Sequence, residues 1–148
     1  PVLAPVKVGE LLGDIQKLFP SSKVRYIYKV EDECRKLMID RSQMEQVLIN
    51  LLKNASEACE ESPNPEVVVE TTYQEEKYIF QLSVTDNGCG ILPDVLDRIF
   101  IPFFTTKSTG SGIGLSLCKQ IVTMHGGSIR VTSEIGKGSC FVVKMVVK

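Results

Sequence analysis

The sequence carries no surplus of charge of either sign. Its 17 Lys and Arg residues are balanced by 18 Asp and Glu residues, which leaves a net charge of -1 at neutral pH. Proteins that bind nucleic acid obtain much of their affinity from clustered basic side chains that neutralise phosphates. We therefore expect no nucleic-acid partner.

Long apolar runs are also missing. A membrane-spanning helix needs about 20 consecutive apolar residues, and no stretch of the chain approaches that length. The N-terminus has neither the basic nor the apolar region of a signal peptide. We therefore expect a soluble chain without direct membrane contact.

Paired cysteines are missing as well. The five cysteines stand singly, without a CxxC motif, and their odd number cannot pair completely into disulfides. They are Cys34, Cys59, Cys89, Cys118 and Cys140. We expect a reducing cytosol as the compartment and the role of a small apolar side chain for each cysteine.

The 148 residues match the size of one ordinary domain, which can bury a core without disulfides or metals. Two prolines in the first five residues predict a linker over residues 1–7. Apolar periodicity predicts three main helices, at about residues 8–18, after a cap at Asp40 or Ser42, and from Ile113. A shorter helix is expected near residues 93–99.

Extended segments between these helices predict strands. They are residues 24–30, 36–39, 66–73, 77–86, 128–135 and 139–147. Because helices and strands do not alternate regularly, the expected fold is an α+β two-layer sandwich. In it, the three main helices would cover one face of a mixed, mostly antiparallel sheet of about five strands.

Asn50 and Asn54 are four residues apart on the predicted long helix, and therefore share one face, with Glu57 close to one further turn along. An asparagine carbonyl is a neutral oxygen ligand. It suits a magnesium ion whose charge is already balanced by nucleotide phosphates. The alternative is a pair of solvated surface amides.

A second candidate is the segment from Asp86 to Gly90, in which a carboxylate at a strand end precedes two glycines. A buried carboxylate there can accept a hydrogen bond from the exocyclic amine of adenine, while glycines permit close approach of the backbone. The alternative is a plain tight turn.

A third candidate is the segment TGSGIGL, residues 109–115, directly before an apolar-periodic helix. Backbone N–H groups at a helix N-terminus bind anions, so this segment is suited to a triphosphate, with Lys107 as an added charge. The segment does not match a dinucleotide-binding fingerprint or a Walker loop, because the required leading strand and the GK[ST] ending are missing.

Four segments occur in a specific order along the chain. They are QVLINLLKNASEA (46–58), DNGCGI (86–91), FIPFFTTK (100–107) and TGSGIGLSLCKQIVTMHGG (109–127). In this order they resemble the N box, first glycine box, F box and second glycine box of one family. It is the ATP-binding domain shared by sensor histidine kinases, gyrase-type topoisomerases, heat-shock chaperones and mismatch-repair ATPases. The resemblance begins at Ile39 and implies a Bergerat-type ATP-binding fold.

This resemblance implies ATP and Mg²⁺ as cofactors. It makes Asn54 the magnesium ligand, with Asn50 as a second candidate, and Asp86 the acceptor for the adenine amine. Asn50 and Lys107 are the candidate catalytic residues. The residues implied to contact the nucleotide or its metal are Asn50, Lys53, Asn54, Asp86, Gly88, Gly90, Ile91, Lys107, Thr109, Gly110, Ser111, Gly112, Ile113, Gly114 and Leu115.

Residues 100–112 resemble the lid of the family. Phe100, Phe103 and Phe104 would anchor this lid or face partner helices, and plain core packing is the alternative for all three.

Asn50 distinguishes the branches of the family, because members that hydrolyse ATP place a glutamate there as a general base. An amide cannot take that proton, so the sequence resembles the kinase branch, in which a histidine attacks the γ-phosphate. His125, the single histidine, precedes two glycines at a helix end and is expected to be structural.

The resemblance therefore implies an ATP-dependent protein-histidine kinase of the two-component type. The γ-phosphate would pass to a histidine on a dimerisation domain missing from this chain, so the isolated chain is not expected to autophosphorylate. The implied partners are the dimerisation helices and a response regulator. The implied location is the cytoplasm; many such kinases are membrane receptors, so the full-length protein is compatible with an inner-membrane anchor.

Three alternatives remain open. They are a stand-alone serine kinase that acts as an anti-sigma factor, a slow ATPase of the chaperone or topoisomerase class, and a nucleotide-binding regulatory module without transfer. Two further hypotheses concern single residues. Cys89 would make nucleotide binding sensitive to oxidation or alkylation, and Glu57, where many relatives have lysine, favours the nitrogen-regulation type of kinase.

Overall fold

The computed structural model of the chain describes residues 1–102 and 114–147. Its elements in chain order are β1 (Ala4–Lys7), α1 (Val8–Leu18), β2 (Arg25–Val30), β3 (Lys36–Ile39), α2 (Arg41–Cys59), β4 (Glu66–Gln74), β5 (Ile79–Asp86), α3 (Pro93–Leu96), α4 (Gly114–Met124), β6 (Ser128–Glu134) and β7 (Gly138–Val146). The predicted positions of the three main helices are confirmed.

A five-stranded mixed sheet has the strand order β2-β4-β5-β7-β6. Strand β2 runs parallel to β4, and the remaining pairs are antiparallel. Side chains alternate along β5, where Phe80, Leu82 and Val84 are buried, as period-2 patterning requires when one face of a sheet is covered. The strands predicted at 66–73 and 77–86 form the expected antiparallel pair.

The helices pack on the apolar face of this sheet. Helix α2 lies against β4, β5 and β7, α4 lies against α2 and β6, and α1 lies against α2 and β2. The apolar stripe of α2 is buried at helical spacing, with Met44, Val47 and Leu51 in the core. On the opposite face of the sheet, Glu70 and Lys144 are exposed. The α+β fold predicted from the sequence is confirmed.

The linker predicted over residues 1–7 is wrong for Ala4–Lys7, which forms β1. This strand pairs antiparallel with β3, with Ala4 opposite Ile39 and Lys7 opposite Lys36, and it buries Val6. A proline is tolerated there because this separate sheet has only two strands, so both are edge strands, where the N–H that Pro5 lacks is least needed.

Two other expectations concern the segment between β5 and α4. The short helix ends at Leu96 rather than near residue 99, and a turn follows it. Of the lid expected over residues 100–112, only the first three residues fall in the described part of the chain. None of the helices within residues 1–102 and 114–147 combines the length and apolarity required to cross a bilayer.

Candidate functional site

Helix α2 places the candidate amides. Asp40 caps the helix, and its Oδ1 accepts from the backbone N–H of Gln43 at 3.1 Å, which satisfies an otherwise unpaired donor of the first turn. Asn50 and Asn54 follow on one face of this helix, and both are half-buried, whereas Lys53 is exposed. The two amides are therefore neither fully solvated nor part of the apolar core.

The Asn50 side chain contacts the start of helix α4. Its Nδ2 donates to the carbonyl oxygen of Gly114 at 3.3 Å, and its Oδ1 accepts from Nε2 of Gln46 at 3.1 Å. Burial raises the pKa of the Cys118 thiol to about 11, and a hydrogen bond with the Asn50 side chain partly opposes this rise. Asn50 thus joins the first residue of α4 to a neighbour on its own helix.

Asp86 lies at the end of β5 and is only 5% exposed. Burial raises the pKa of its carboxyl, and hydrogen bonds from the backbone N–H groups of Gly88 and Ser139 partly oppose the rise. The Gly88 bond to Oδ1 measures 2.8 Å. An ionised carboxylate offers roughly four lone-pair positions, so acceptor capacity remains for a further donor.

The loop after Asp86 is fixed against the end of α2. The backbone N–H of Cys89 donates to the carbonyl oxygen of Ala58 at 3.4 Å. A Cβ atom on Gly88 would lie 2.3 Å from that same oxygen, so only glycine fits. The Asn87 side chain accepts from the N–H of Glu66 at 2.9 Å and donates to the carbonyl of Asn64 at 2.7 Å.

The other end of the loop is fixed against the β6–β7 turn. Gly90 has a φ of +81°, and a Cβ atom there would lie 2.4 Å from the carbonyl oxygen of Glu134. The backbone N–H of Ile91 donates to Oγ of Ser133 at 2.7 Å. Both glycines are therefore required by close packing within the protein itself, which the sequence motif alone did not reveal.

Ser133 and Ser139 support this loop but were missed by the sequence analysis. Ser139 is the cross-strand partner of Asp86, and its Oγ lies 2.9 Å from Oγ of Ser133. Their involvement depends on the pairing of β5 with β7 and of β7 with β6, which no local motif encodes. Single serines in a strand pattern gave no signal.

The F box begins on the sheet. The Phe100 ring packs edge-on against Phe141 at 6.3 Å between centroids, and the Lys119 ammonium lies 5.6 Å from the Phe100 centroid. Phe100 therefore packs against the core, which was the alternative expectation for this residue. Phe103, Phe104, Lys107 and the predicted phosphate-contacting residues 109–113 lie outside the described residues.

The remaining predicted positions lie on α4 and in the loop after β5. Gly114 begins α4 and Leu115 is half-buried against the core. The structure brings Asn50 into contact with Gly114, and Asp86 into contact with Gly88. Ile91 also packs partly on the core.

His125 has the structural role predicted for it. Its Nδ1 donates to the carbonyl oxygen of Ile121 at 2.8 Å, which leaves Nε2 as the acceptor for the backbone N–H of Asp40 at 3.1 Å. Both ring nitrogens are thus engaged by the backbone, and this arrangement requires the neutral imidazole with its proton on Nδ1.

The site residues comprise a buried carboxylate, a glycine loop and a pair of amides on α2, one of which contacts the start of α4. These features agree with a comparison with known protein families. The model of the histidine kinase-, DNA gyrase B- and HSP90-like ATPase family matches residues 39–148, so the chain belongs to this family. Among curated proteins, the sensor histidine kinase ZraS of Escherichia coli (strain K12) is 40% identical over 121 residues, which are 82% of this chain and 25% of ZraS. The chain spans about a quarter of the length of the curated relatives it matches.

Solved structures share the fold. The nucleotide-free catalytic domain of the histidine kinase ThkA is 28% identical with a TM-score of 0.84, over 97% of this chain and 96% of that one. Full-length ShkA in complex with AMPPNP is 26% identical with a TM-score of 0.84, over 98% of this chain and 31% of ShkA. ThkA is also known in complex with the response regulator TrrA; there the identity is 28% and the TM-score 0.80, over 97% of this chain and 41% of ThkA.

Proposed function

We propose that this chain binds Mg-ATP beside Asp86, Asn54 and the start of α4, and that it donates the γ-phosphate to a histidine on dimerisation helices outside this sequence. The observation that carries the proposal is the buried carboxylate of Asp86. It lies at a strand end, in a loop fixed on both sides, and retains acceptor capacity after two backbone hydrogen bonds.

Adenine recognition is assigned to Asp86. A buried carboxylate is costly unless it is hydrogen-bonded, and here the N–H groups of Gly88 and Ser139 already orient it. The exocyclic amine of adenine would be a further donor. Gly88, Gly90 and Ile91 form the backbone on this side; the two glycines pack closely against Ala58 and Glu134, and the N–H of Ile91 donates to Ser133.

Magnesium is assigned to Asn54. The residue is half-buried on the face of α2 that also carries Asn50, and an amide oxygen fits an ion that keeps several waters and takes few protein ligands. When bound, the ion would neutralise charge on the phosphates. The N-terminus of α4 adds backbone N–H groups for the same phosphates, and Lys53, Lys107 and residues 109–115 remain proposed contacts.

The chemical step would be attack by an imidazole nitrogen on the γ-phosphorus, with cleavage of the bond to the β-phosphate oxygen and release of ADP. Such transfer depends mainly on positioning and on charge stabilisation. His125 is unsuited as the acceptor because both of its ring nitrogens are engaged by backbone groups. The acceptor histidine must then come from elsewhere.

The partners follow from the same proposal. ThkA, a structural relative, forms a complex with a response regulator, and ShkA binds AMPPNP. We extend both to this chain: a response regulator would receive the phosphoryl group from the histidine of the dimerisation helices. The reaction would take place in the cytoplasm, where ATP is present.

The test is phosphoryl transfer from γ-labelled ATP to separately produced dimerisation helices of the sensor histidine kinase ZraS. We expect label on the helices that is stable in alkali and lost in acid, as for phosphohistidine, and no label with the Asp86→Asn variant. Acid-stable label on a partner protein would instead support a serine kinase. Steady phosphate release by the chain alone would support an ATPase, and binding of nucleotide without transfer would support a regulatory module.

A further inference from the structure

The carboxamide of Asn50 is held by protein groups at both ends. Its Nδ2 donates to the Gly114 carbonyl at 3.3 Å. Its Oδ1, the atom a magnesium ion would need, accepts from Nε2 of Gln46 at 3.1 Å.

From this geometry we propose that Asn50 is a positioning residue rather than a metal ligand. It fastens the middle of α2 to the first turn of α4, and Gln46 donates to the oxygen end of its amide. The proposal rests on the nucleotide site described above, because its consequence is the position of the α4 N-terminus relative to the phosphates.

The Gly114 carbonyl determines which end of the Asn50 amide faces α4. A carbonyl oxygen can only accept, so Nδ2 must face it, and Oδ1 then faces Gln46, whose Nε2 donates to it. If the Asn50 amide were reversed, two oxygens would face each other at Gly114. The chain of donors from Gln46 through Asn50 to Gly114 is therefore consistent in only one direction.

Cys118 strengthens the same contact between the helices. Its Sγ donates to the carbonyl of Val47 at 3.8 Å, and both residues are fully buried. Gly114 and Cys118 are four residues apart on α4, and Val47 and Asn50 are three apart on α2, so all four lie on facing helix surfaces. Asn50 makes the polar contact at one end of this packed interface between α2 and α4.

The first test separates positioning from metal binding through ligand dependence. We would measure the Kd of ADP with magnesium and with EDTA, and the Kd of adenosine, for the parent, Asn50→Ala, Asn50→Asp and Asn54→Ala. For both Asn50 variants we expect ADP to bind about threefold to tenfold more weakly, by the same factor with magnesium and with EDTA, as loss of one hydrogen bond predicts. Adenosine affinity should stay unchanged, because Asp86 is not affected.

A metal ligand would behave differently. Asn54→Ala should weaken ADP binding only in the presence of magnesium. If Asn50→Ala shows that same pattern, or if Asn50→Asp strengthens binding with magnesium, the proposal is overturned. A loss of adenosine affinity equal to that of ADP would also overturn it, since it would indicate general disruption.

The second test concerns the supporting role of Gln46. Gln46→Glu replaces the donor with an acceptor that competes with the Gly114 carbonyl for Nδ2 of Asn50, so it should weaken ADP binding to the same extent as Asn50→Ala, again without affecting adenosine. Gln46→Met should have a smaller effect of the same kind. Gln16→Glu, an exposed residue of α1, is the matched control for the added charge.

Thermal unfolding of every variant checks that it is folded at the temperature of the binding measurement. If the parent chain binds no ADP, the proposed function fails and this inference fails with it. If the parent binds ADP and Gln46→Glu binds equally well, the supporting role of Gln46 alone is wrong. In that second case the nucleotide site stands.

Discussion

The backbone N–H of Asp40 donates to Nε2 of His125 at 3.1 Å. This contact joins the first residue before α2 to the residue that follows α4, while Asn50 and Gly114 join the same helices at the other end of α4. The two contacts are 10 residues apart on the α2 side, from Asp40 to Asn50, and 11 residues apart on the α4 side, from His125 back to Gly114. The two helices are therefore antiparallel, and α4 is fastened to α2 at both of its ends.

The first prediction concerns this histidine. His125→Ala removes the acceptor for Asp40 N–H and leaves a partly buried donor unpaired, so we expect a loss of about 1–3 kcal/mol in the free energy of unfolding. Urea unfolding measures it. Thr123→Ala, an exposed residue of the same helix, is the control and should change stability by at most about 0.5 kcal/mol.

The same variant tests the role of His125 in transfer. We expect His125→Ala to phosphorylate added dimerisation helices as long as it remains folded. Label that appears on the isolated parent chain and disappears in His125→Ala would contradict a structural role.

The second prediction concerns Asp86 and pH. Because burial raises the pKa of this carboxyl, the folded chain holds the proton more tightly than the unfolded chain, whose aspartate pKa is about 3.9. The ionisation of Asp86 therefore costs no stability below about pH 3.9. The free energy of unfolding then decreases as the pH rises through the raised pKa of the folded state. Asp86→Asn keeps an acceptor oxygen for the Gly88 N–H and cannot ionise.

Denaturant unfolding from pH 4 to pH 7 tests this sign. The stability of Asp86→Asn relative to the parent should increase as the pH rises, although the variant loses adenine binding. A difference that stays constant with pH would contradict the raised pKa, and one that reverses would show that ionised Asp86 stabilises the fold.

The third prediction contrasts two glycines. Gly88→Ala places a Cβ atom 2.3 Å from the carbonyl oxygen of Ala58, so the loop must move away from α2 at a cost of about 1–3 kcal/mol. Gly13→Ala lies within α1 with nothing inside 4 Å of the added carbon, and it should stabilise the chain by about 1 kcal/mol. Melting temperatures of the two variants should move in opposite directions.

The fourth prediction concerns thiol reactivity. Cys34 and Cys89 are exposed, whereas Cys59 and Cys118 are buried, and burial raises the pKa of both buried thiols, that of Cys118 to about 11. Iodoacetamide at pH 8 should therefore label the first two and spare the second two in the native chain.

Nucleotide should change only one of these rates. Mg-ADP is expected to slow labelling of Cys89, which lies in the adenine-side loop, and to leave Cys34 unchanged as the internal control. If alkylation inactivates nucleotide binding as fast in Cys89→Ser as in the parent, the redox sensitivity proposed for Cys89 is wrong.

The sequence predicted elements well where one local pattern determines them. The apolar stripe of α2 and its Asp40 cap are both encoded within the helix, and Asp86 ends a strand with clear alternation. By contrast, β1 was missed because its residues pair with β3 residues that are 29 to 35 positions away, and Pro5 suggested a linker.

The reasons behind the site residues were harder to predict than their identities. The glycine motif suggested close approach to a ligand, but Gly88 and Gly90 are required by Ala58 and Glu134, which lie far from them in sequence. Likewise, nothing around Ser133 indicated that it would hold Ile91, since that contact depends on sheet register. Tertiary packing determines both.

The central claim is an adenine nucleotide site built on Asp86. The most direct measurement is calorimetric titration of Mg-ADP into the folded chain, with Asp86→Asn titrated in parallel and Mg-GDP as the base control. We predict that the parent binds ADP and not GDP, that Asp86→Asn binds neither, and that ADP at about 100 times its Kd stabilises the parent by about 2.7 kcal/mol. Equal binding of ADP by Asp86→Asn and the parent, or no binding by a parent that is folded, would contradict the account.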